Sequence, residues 1–354
     1  MNRKTQTKHY AEISAAKGLL IILMVIGHSG VTQTIGEPLS LLRMPCFFLI
    51  SGYLFKEKYL NNTKQFVYKK IKGLYFPFVK WSLMFLLLHN IFYHLNLYNI
   101  KYSTNDFLSK SIQIATMTGS EQLLGGFWFL KELLYASIIS FFVFKLLVSL
   151  KLRLNIATLL SCSILFMALA LVQSFVNFKI PTIGSKTFLA TSYFIAGTAF
   201  HRVDMLFTNL NKLKIGIVLF VVFIISSVFV KGSINSQGYI IFPYYAVSIV
   251  ASISLIFLTK YFGKHVLCIL DYIGKRTLYI LIFHFISFKI VSLALITIDN
   301  KPFTELASFP VIENNSSFLW IIYSIAGVTI PLLIKLGVDN ISSFCKNCYI
   351  LKKV

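Results

Sequence analysis

The sequence predicts an all-α, polytopic membrane bundle of about ten spanning helices, and three observations predict it. Apolar windows of roughly 17 to 25 residues, long enough to cross a bilayer, recur along the whole chain. The composition is 56% hydrophobic and only 13% charged, far from the soluble average. Phe, Tyr and Trp supply 16% of the residues, which suits a lipid-facing surface with aromatic belts at its edges.

The windows fall near 13–33, 39–55, 74–96, 124–146, 155–175, 187–201, 215–230, 239–259, 277–298 and 317–338. The first 27 residues mimic a secretory signal, with a basic start and an apolar run. The run has no clean small-x-small cleavage site and leads straight into more spans, so it reads as an uncleaved first helix. The second and sixth windows are short. Pro and Gly punctuate span ends, as at Tyr75-Phe76-Pro77 and Ile241-Phe242-Pro243. No long polar segment is left for a soluble domain, so residues 1–354 read as one membrane unit.

Loop charge sets the orientation. With the N terminus inside, the inner segments 1–12, 56–73, 145–154, 202–214, 260–276 and 339–354 hold 22 Lys and Arg. The outer loops hold 6, together with the acids Glu37, Asp106, Glu121, Asp299, Glu305 and Glu313. Both termini are therefore expected in the cytoplasm, in a cell membrane. The net charge of +22 is a topology signal first. The basic residues are scattered over short inner loops rather than gathered on one domain, which argues against nucleic acid as a partner. The KKIK run at 69–72 is expected to meet anionic headgroups of the bilayer.

Other classes find little support. No GxxxxGK[ST] or GxGxxG occurs, which argues against an ATP-driven pump. Cys46, Cys162, Cys268, Cys345 and Cys348 are too scattered for a disulfide framework. Cys345-Lys-Asn-Cys348 has metal-like spacing without a second pair, and reads as incidental thiols rather than a zinc or redox site.

Six basic residues lie within the windows: Lys17, Arg43, Lys80, Lys131, Lys289 and Lys335. Ionisable groups are costly in hydrocarbon and by default line a cavity, a pathway or a reaction site. Only Glu132 is an obvious acidic partner, so the excess of buried cations implies an anionic ligand or neutralised lysines. Lys17 and His28 are eleven residues apart, about three helical turns, which puts them on one face with a rise of about 16 Å. Arg43 is expected to face His28 across one hairpin, both roughly 6 to 8 Å below the outer surface. Trp128, Lys131, Glu132, His89 and His94 sort into the same outer half. Lys17, Lys80 and, somewhat deeper, His284 sort into an inner layer. Bland alternatives stand beside each. Lys17 and Lys335 can snorkel, a lone histidine often only bonds a neighbouring helix, Lys131-Glu132 can be a local pair, and Arg43 can cap outer-loop carbonyls.

At these residues the chain resembles the acyltransferase 3 family of integral membrane O-acyltransferases. The first helix carries Lys17-Gly18 and then Gly27-His28. The second ends in Pro45-Cys46-Phe47-Phe48-Leu49-Ile50-Ser51-Gly52-Tyr53-Leu54-Phe55. KKIKGLYFPF, Trp128-Phe129-Leu130, and the stretch from Gly274 to His284 follow in the family's order. Three positions depart from it: Ser14 where members often have Asp, Arg43 where many have His, and Gly73 where a basic residue is common.

The resemblance implies transfer of an acetyl or other short acyl group from cytoplasmic acyl-CoA to a hydroxyl of an extracytoplasmic glycan or lipid-linked sugar. It implies no permanently bound cofactor and no metal, with acetyl-CoA as donor substrate. His28 would act as general base or accept the acyl group briefly, and Arg43 would steady the oxyanion. Lys17, Lys80, His284, Lys275 and Arg276 would meet the CoA, and Trp128, Lys131 and Glu132 the acceptor. The competing reading is a transporter or flippase for a glycan or organic anion using the same cations. A third is a structural subunit of a polysaccharide-synthesis complex, in which His28 would be dispensable.

Overall fold

A computed structural model describes residues 3–176, 182–312 and 318–351, with side chains described between residues 11 and 340 of those ranges. Glu313 and the side chains of Cys345 and Cys348 lie outside the described residues. The architecture is all-helical. Among the described residues there is no β-strand.

Among the described residues fourteen α-helices run in chain order. They are α1 (Arg3–Ile26), α2 (Gln33–Tyr53), α3 (Thr63–Lys70), α4 (Phe76–Leu87), α5 (His89–His94), α6 (Thr104–Ala115) and α7 (Trp128–Ser149). Then come α8 (Ile156–Val176), α9 (Ser185–Leu206), α10 (Lys212–Phe229), α11 (Ile241–Thr259), α12 (Lys264–Gly274), α13 (Thr277–Ile298) and α14 (Leu319–Leu351). Six segments are long and apolar enough to cross a membrane by themselves: Trp128–Ser149, Ile156–Val176, Lys212–Phe229, Gly238–Thr259, Thr277–Ile298 and Leu319–Asn340. The protein is thus a multi-pass membrane bundle. The other four expected windows are helical too, but each is short, broken, or interrupted by charge.

Local chemistry explains those interruptions. The first window was expected to run to residue 33, whereas α1 stops at Ile26. Gly27 and the left-handed Gly30 (φ +80°) turn the chain, and the Ser29 hydroxyl donates to the Ile26 carbonyl at 2.8 Å. His28 therefore sits on the turn beyond the helix. Pro77 has no N–H for the carbonyl of Gly73. The helix widens there into a π-turn over Ile71–Tyr75, in which the Phe76 N–H reaches back to Ile71.

Small and hydroxyl side chains bring the helices together, as expected where lipid is as apolar as leucine. A Cβ added at Gly52 would stand 1.7 Å from the Phe194 carbonyl oxygen, and one at Gly197 would stand 1.9 Å from that of Leu49. Helices α2 and α9 therefore touch backbone to backbone. Ser163 and Ser192 donate to each other's carbonyls at 2.7 and 2.6 Å, joining α8 to α9. At the C-terminal end of α2, the buried Asp204 accepts from Tyr53 at 2.6 Å and Lys260 at 3.0 Å and pairs with Lys212. With three partners that carboxylate is structural.

Candidate active site

Helices α1, α2 and α13 converge on one point. The His28 ring lies 5.7 Å from that of His284 and 5.3 Å from Phe285, centroid to centroid. Arg43 reaches the same place from α2. Its guanidinium packs on Gly27, where a Cβ would fall 1.4 Å from Nη1, and Nη1 donates to the Met24 carbonyl at 3.5 Å. Among the described residues no carboxylate lies within ion-pair distance of Arg43, and nothing hydrogen-bonds the His28 ring. A cation without an acidic partner and an imidazole therefore stand close together.

His284 is fully buried. Its Nδ1 faces the carbonyls of Ile280 at 3.0 Å and Leu281 at 3.1 Å, so the proton resides there. That leaves Nε2 as a lone-pair acceptor, buried without a partner. The inner-layer depth expected for His284 is wrong. The ring stands beside His28, because α13 presents it one turn beyond Leu281. Gly126, ahead of α7, approaches the same ring: a Cβ there would lie 3.8 Å from His284 Cε1. Phe309 closes over the group at 4.6 Å from Phe285. Lys289, buried to 3%, donates to the carbonyls of Leu306 at 2.9 Å and of Ser308, which holds that loop down.

A cavity of about 270 Å³ lies beside this group. At one end are Met24, Met44 and Leu281, each one turn or less from His28, Arg43 or His284. Lys17 lines it further along, with Ile21, Phe129 and Leu278. A second cavity of about 350 Å³ holds Lys69, Lys70, Tyr59 and Phe66. The two share Ser51, Leu54, Gly73, Leu74 and Leu133 in their walls, so they adjoin, a segmented passage of two cavities. The π-turn at Gly73 lies at the junction, and a Cβ on Gly73 would meet nothing within 4 Å.

Lys70 sits at the far end between aromatic faces, 5.5 Å from the Phe66 centroid and 5.6 Å from Phe194. No described carboxylate pairs with it. Burial pushes its ammonium down to about 8. Lys69 donates to the Tyr59 hydroxyl at 2.9 Å. The lysines read as headgroup contacts are thus passage-lining. Their signal was the KKIK run beside a proline-induced break, and a basic run at a membrane edge has a commoner explanation.

The remaining expected residues are dispersed. Lys80 is exposed, 5.4 Å from the Trp81 ring centroid, and does not line the passage. Lys275 is exposed and paired with Asp271 at 2.5 Å, while Arg276 stacks on Tyr272 at 3.6 Å and donates to its carbonyl. Neither lines the passage. Trp128, Lys131 and Glu132 gather at the start of α7. The buried Glu132 accepts from Thr187 at 2.6 Å and lies 3.9 Å from Lys131. Lys186, which sequence reasoning left in a loop, caps Trp128 at 4.4 Å. At Ser14 the hydroxyl donates to the Asp271 carbonyl at 3.4 Å, and the Asp271 charge acts on Lys17. His89, by contrast, is a packed structural residue. It sits between Tyr98 and Tyr102 and is bonded to Glu121 at 2.7 Å and to the Ile100 carbonyl at 2.9 Å.

Adjoining cavities lined by Lys69, Lys70 and Lys17 thus lie beside the His28, Arg43 and His284 group. Residues 10–336, nearly the whole described chain, match the acyltransferase domain of the acyltransferase 3 family. The chain belongs to the acyltransferase 3 family. No curated protein and no solved structure gives a match. Membership makes the protein a membrane acyltransferase. Within this acyltransferase 3 domain, both the passage and the His28–Arg43–His284 group lie inside the matched range.

Proposed function

We propose that the protein transfers an acetyl or other short acyl group from cytoplasmic acyl-CoA to a hydroxyl of an extracytoplasmic glycan or lipid-linked sugar. The bundle spans the cell membrane about ten times with both termini inside, since the inner loops hold 22 of the Lys and Arg against 6 outside. The observation that carries the reading is the pair of adjoining cavities, lined by Lys69 and Lys70 in one and Lys17 in the other, whose wall at Met24, Met44 and Leu281 lies within about one helical turn of His28, Arg43 and His284. Its inner mouth offers cations to the CoA phosphates.

The thioester carbonyl then lies beside Arg43, whose guanidinium, free of acidic partners, stabilises the oxyanion. The neutral His28 takes the proton of the acceptor hydroxyl as its oxygen bonds the acyl carbon. The C–S bond breaks, and the thiolate leaves along the passage, neutralised by the proton His28 holds. In the two-step variant the His28 nitrogen first carries the acyl group and the sugar hydroxyl then displaces it. His284 Nε2, with its tautomer fixed by α13, accepts a hydrogen bond from the His28 ring or the incoming hydroxyl. The reaction needs no resident cofactor, because the donor brings its own activated bond.

The test is complementation. Wild type and His28→Ala are expressed in a strain lacking the gene, and O-acetyl groups on surface glycans are measured by NMR. Acetylation restored only by wild type is expected. Equal acetylation in all strains would remove acetyl transfer to those glycans, and cargo movement without acyl-CoA use would favour a transporter.

A further inference from the structure

The start of α7 carries a second cluster, one helical turn from the histidines. Gly126 touches His284, and Trp128 begins the helix two residues later. The half-buried Trp128 indole has the Lys186 ammonium 4.4 Å from its ring centroid. Lys131, with a side chain only 18% exposed, stands 5.7 Å from Tyr135 and 3.9 Å from Glu132. Glu132 is the sole carboxylate paired in this cluster among the described residues, and its Oε2 is already engaged by Thr187. Two ammonium groups therefore share one occupied acid. Elsewhere on the same side Lys231 pairs with Glu37 and Lys301 with Glu305, so unmatched charge is not the rule there.

We propose that this cluster is the acceptor subsite and that it selects a saccharide bearing an anionic group, a uronate carboxylate or a sugar phosphate. The inference rests on the acyl-transfer reading for its place in the reaction. The sugar's apolar face packs on the Trp128 indole, and its anion lies between Lys131 and Lys186 and takes charge-assisted hydrogen bonds from both. Glu132, held by Thr187, fixes Lys131 and accepts from a sugar hydroxyl. One turn further along, the next hydroxyl meets His28 and His284.

Binding tests this without any turnover. Purified protein in nanodiscs of uncharged lipid is titrated by calorimetry with tetragalacturonate, glucose 1-phosphate, maltotetraose and inorganic phosphate. At least one charged sugar is expected to bind about tenfold or more tighter than maltotetraose, and which one identifies the anion. Lys186→Gln and Lys131→Gln are each expected to weaken the charged sugar about tenfold, the loss of one charge-assisted bond, while leaving maltotetraose unchanged. Equal affinity for charged and neutral sugars, no binding of any sugar, or inorganic phosphate binding as tightly as the sugars would overturn the proposal. Acylation of glycans without charge preference would sink this inference alone, whereas charge-selective binding without acyl transfer would sink only the reaction.

Discussion

The Nη1 of Arg43 occupies the space where a side chain at residue 27 would begin, 1.4 Å from the position of a Cβ on Gly27. The guanidinium can approach the His28 turn only because residue 27 is glycine. Helix α1 ends at Ile26, and the turn that follows is built to be filled by a side chain from α2.

Gly27→Ala is therefore expected to expel Arg43 from the site while α1 and α2 stay folded. If Arg43 stabilises the oxyanion, the rate falls about 10²- to 10³-fold, the usual loss for one such donor. Acyl-transfer rate and thermal unfolding are measured together. Wild-type rate in Gly27→Ala would remove Arg43 from the mechanism.

The passage gives a second expectation. Gly73 stands at the junction with open space around its Cβ, so Gly73→Phe fills the channel without displacing packed neighbours. Donor binding should be lost and the melting temperature kept. Unchanged KM for acyl-CoA would show that the donor travels elsewhere.

Lys70 supplies the pH dependence. Burial lowers its ammonium to about 8, so the free enzyme loses this charge as pH rises through that value. The phosphates of CoA stay anionic over the same range, since their last ionisation lies near 6. KM for the donor should therefore rise between pH 7 and 9. Lys70→Arg, always charged, should flatten the profile. Stability moves the other way: the unfolded chain binds the proton that the folded chain has released, so stability increases with pH above about 8. A donor KM independent of pH in wild type would separate Lys70 from the phosphates.

Lys289 is expected to matter for stability rather than chemistry. Lys289→Met removes the donor to the Leu306 and Ser308 carbonyls, and each buried carbonyl left unpaired costs about 1–3 kcal/mol. The loop carrying Phe309 should then loosen, lowering the unfolding temperature and raising proteolysis near residue 309. An unaltered melting temperature would contradict the role.

The membrane class was legible because hydropathy acts over whole windows and requires no knowledge of packing. Lys17, His28 and Arg43 were legible because they sit close in sequence, where helical register and one hairpin relate them. His284 was misplaced in depth because its neighbour His28 lies 256 residues away, and no local pattern connects α13 to the turn after α1. The inner face of the passage was missed for a different reason. Lys69 and Lys70 look like any basic run at a membrane edge, and only the packing of α3 shows that they line a cavity. Lys80, Lys275 and Arg276 have the right charge, but tertiary rotation turns Lys80 outward and Asp271 and Tyr272 occupy the other two.

The central claim is acyl transfer at His28 with donor supplied through the passage, and one stoichiometry tests it most directly. Purified wild type and His28→Ala in nanodiscs are given acetyl-CoA and a cell-envelope glycan fraction, and free thiol and O-acetyl ester are both counted. The account predicts equal thiol and ester from wild type, with His28→Ala slowed about 10²- to 10⁴-fold yet still binding acetyl-CoA. Equal ester formation by the two proteins would contradict it.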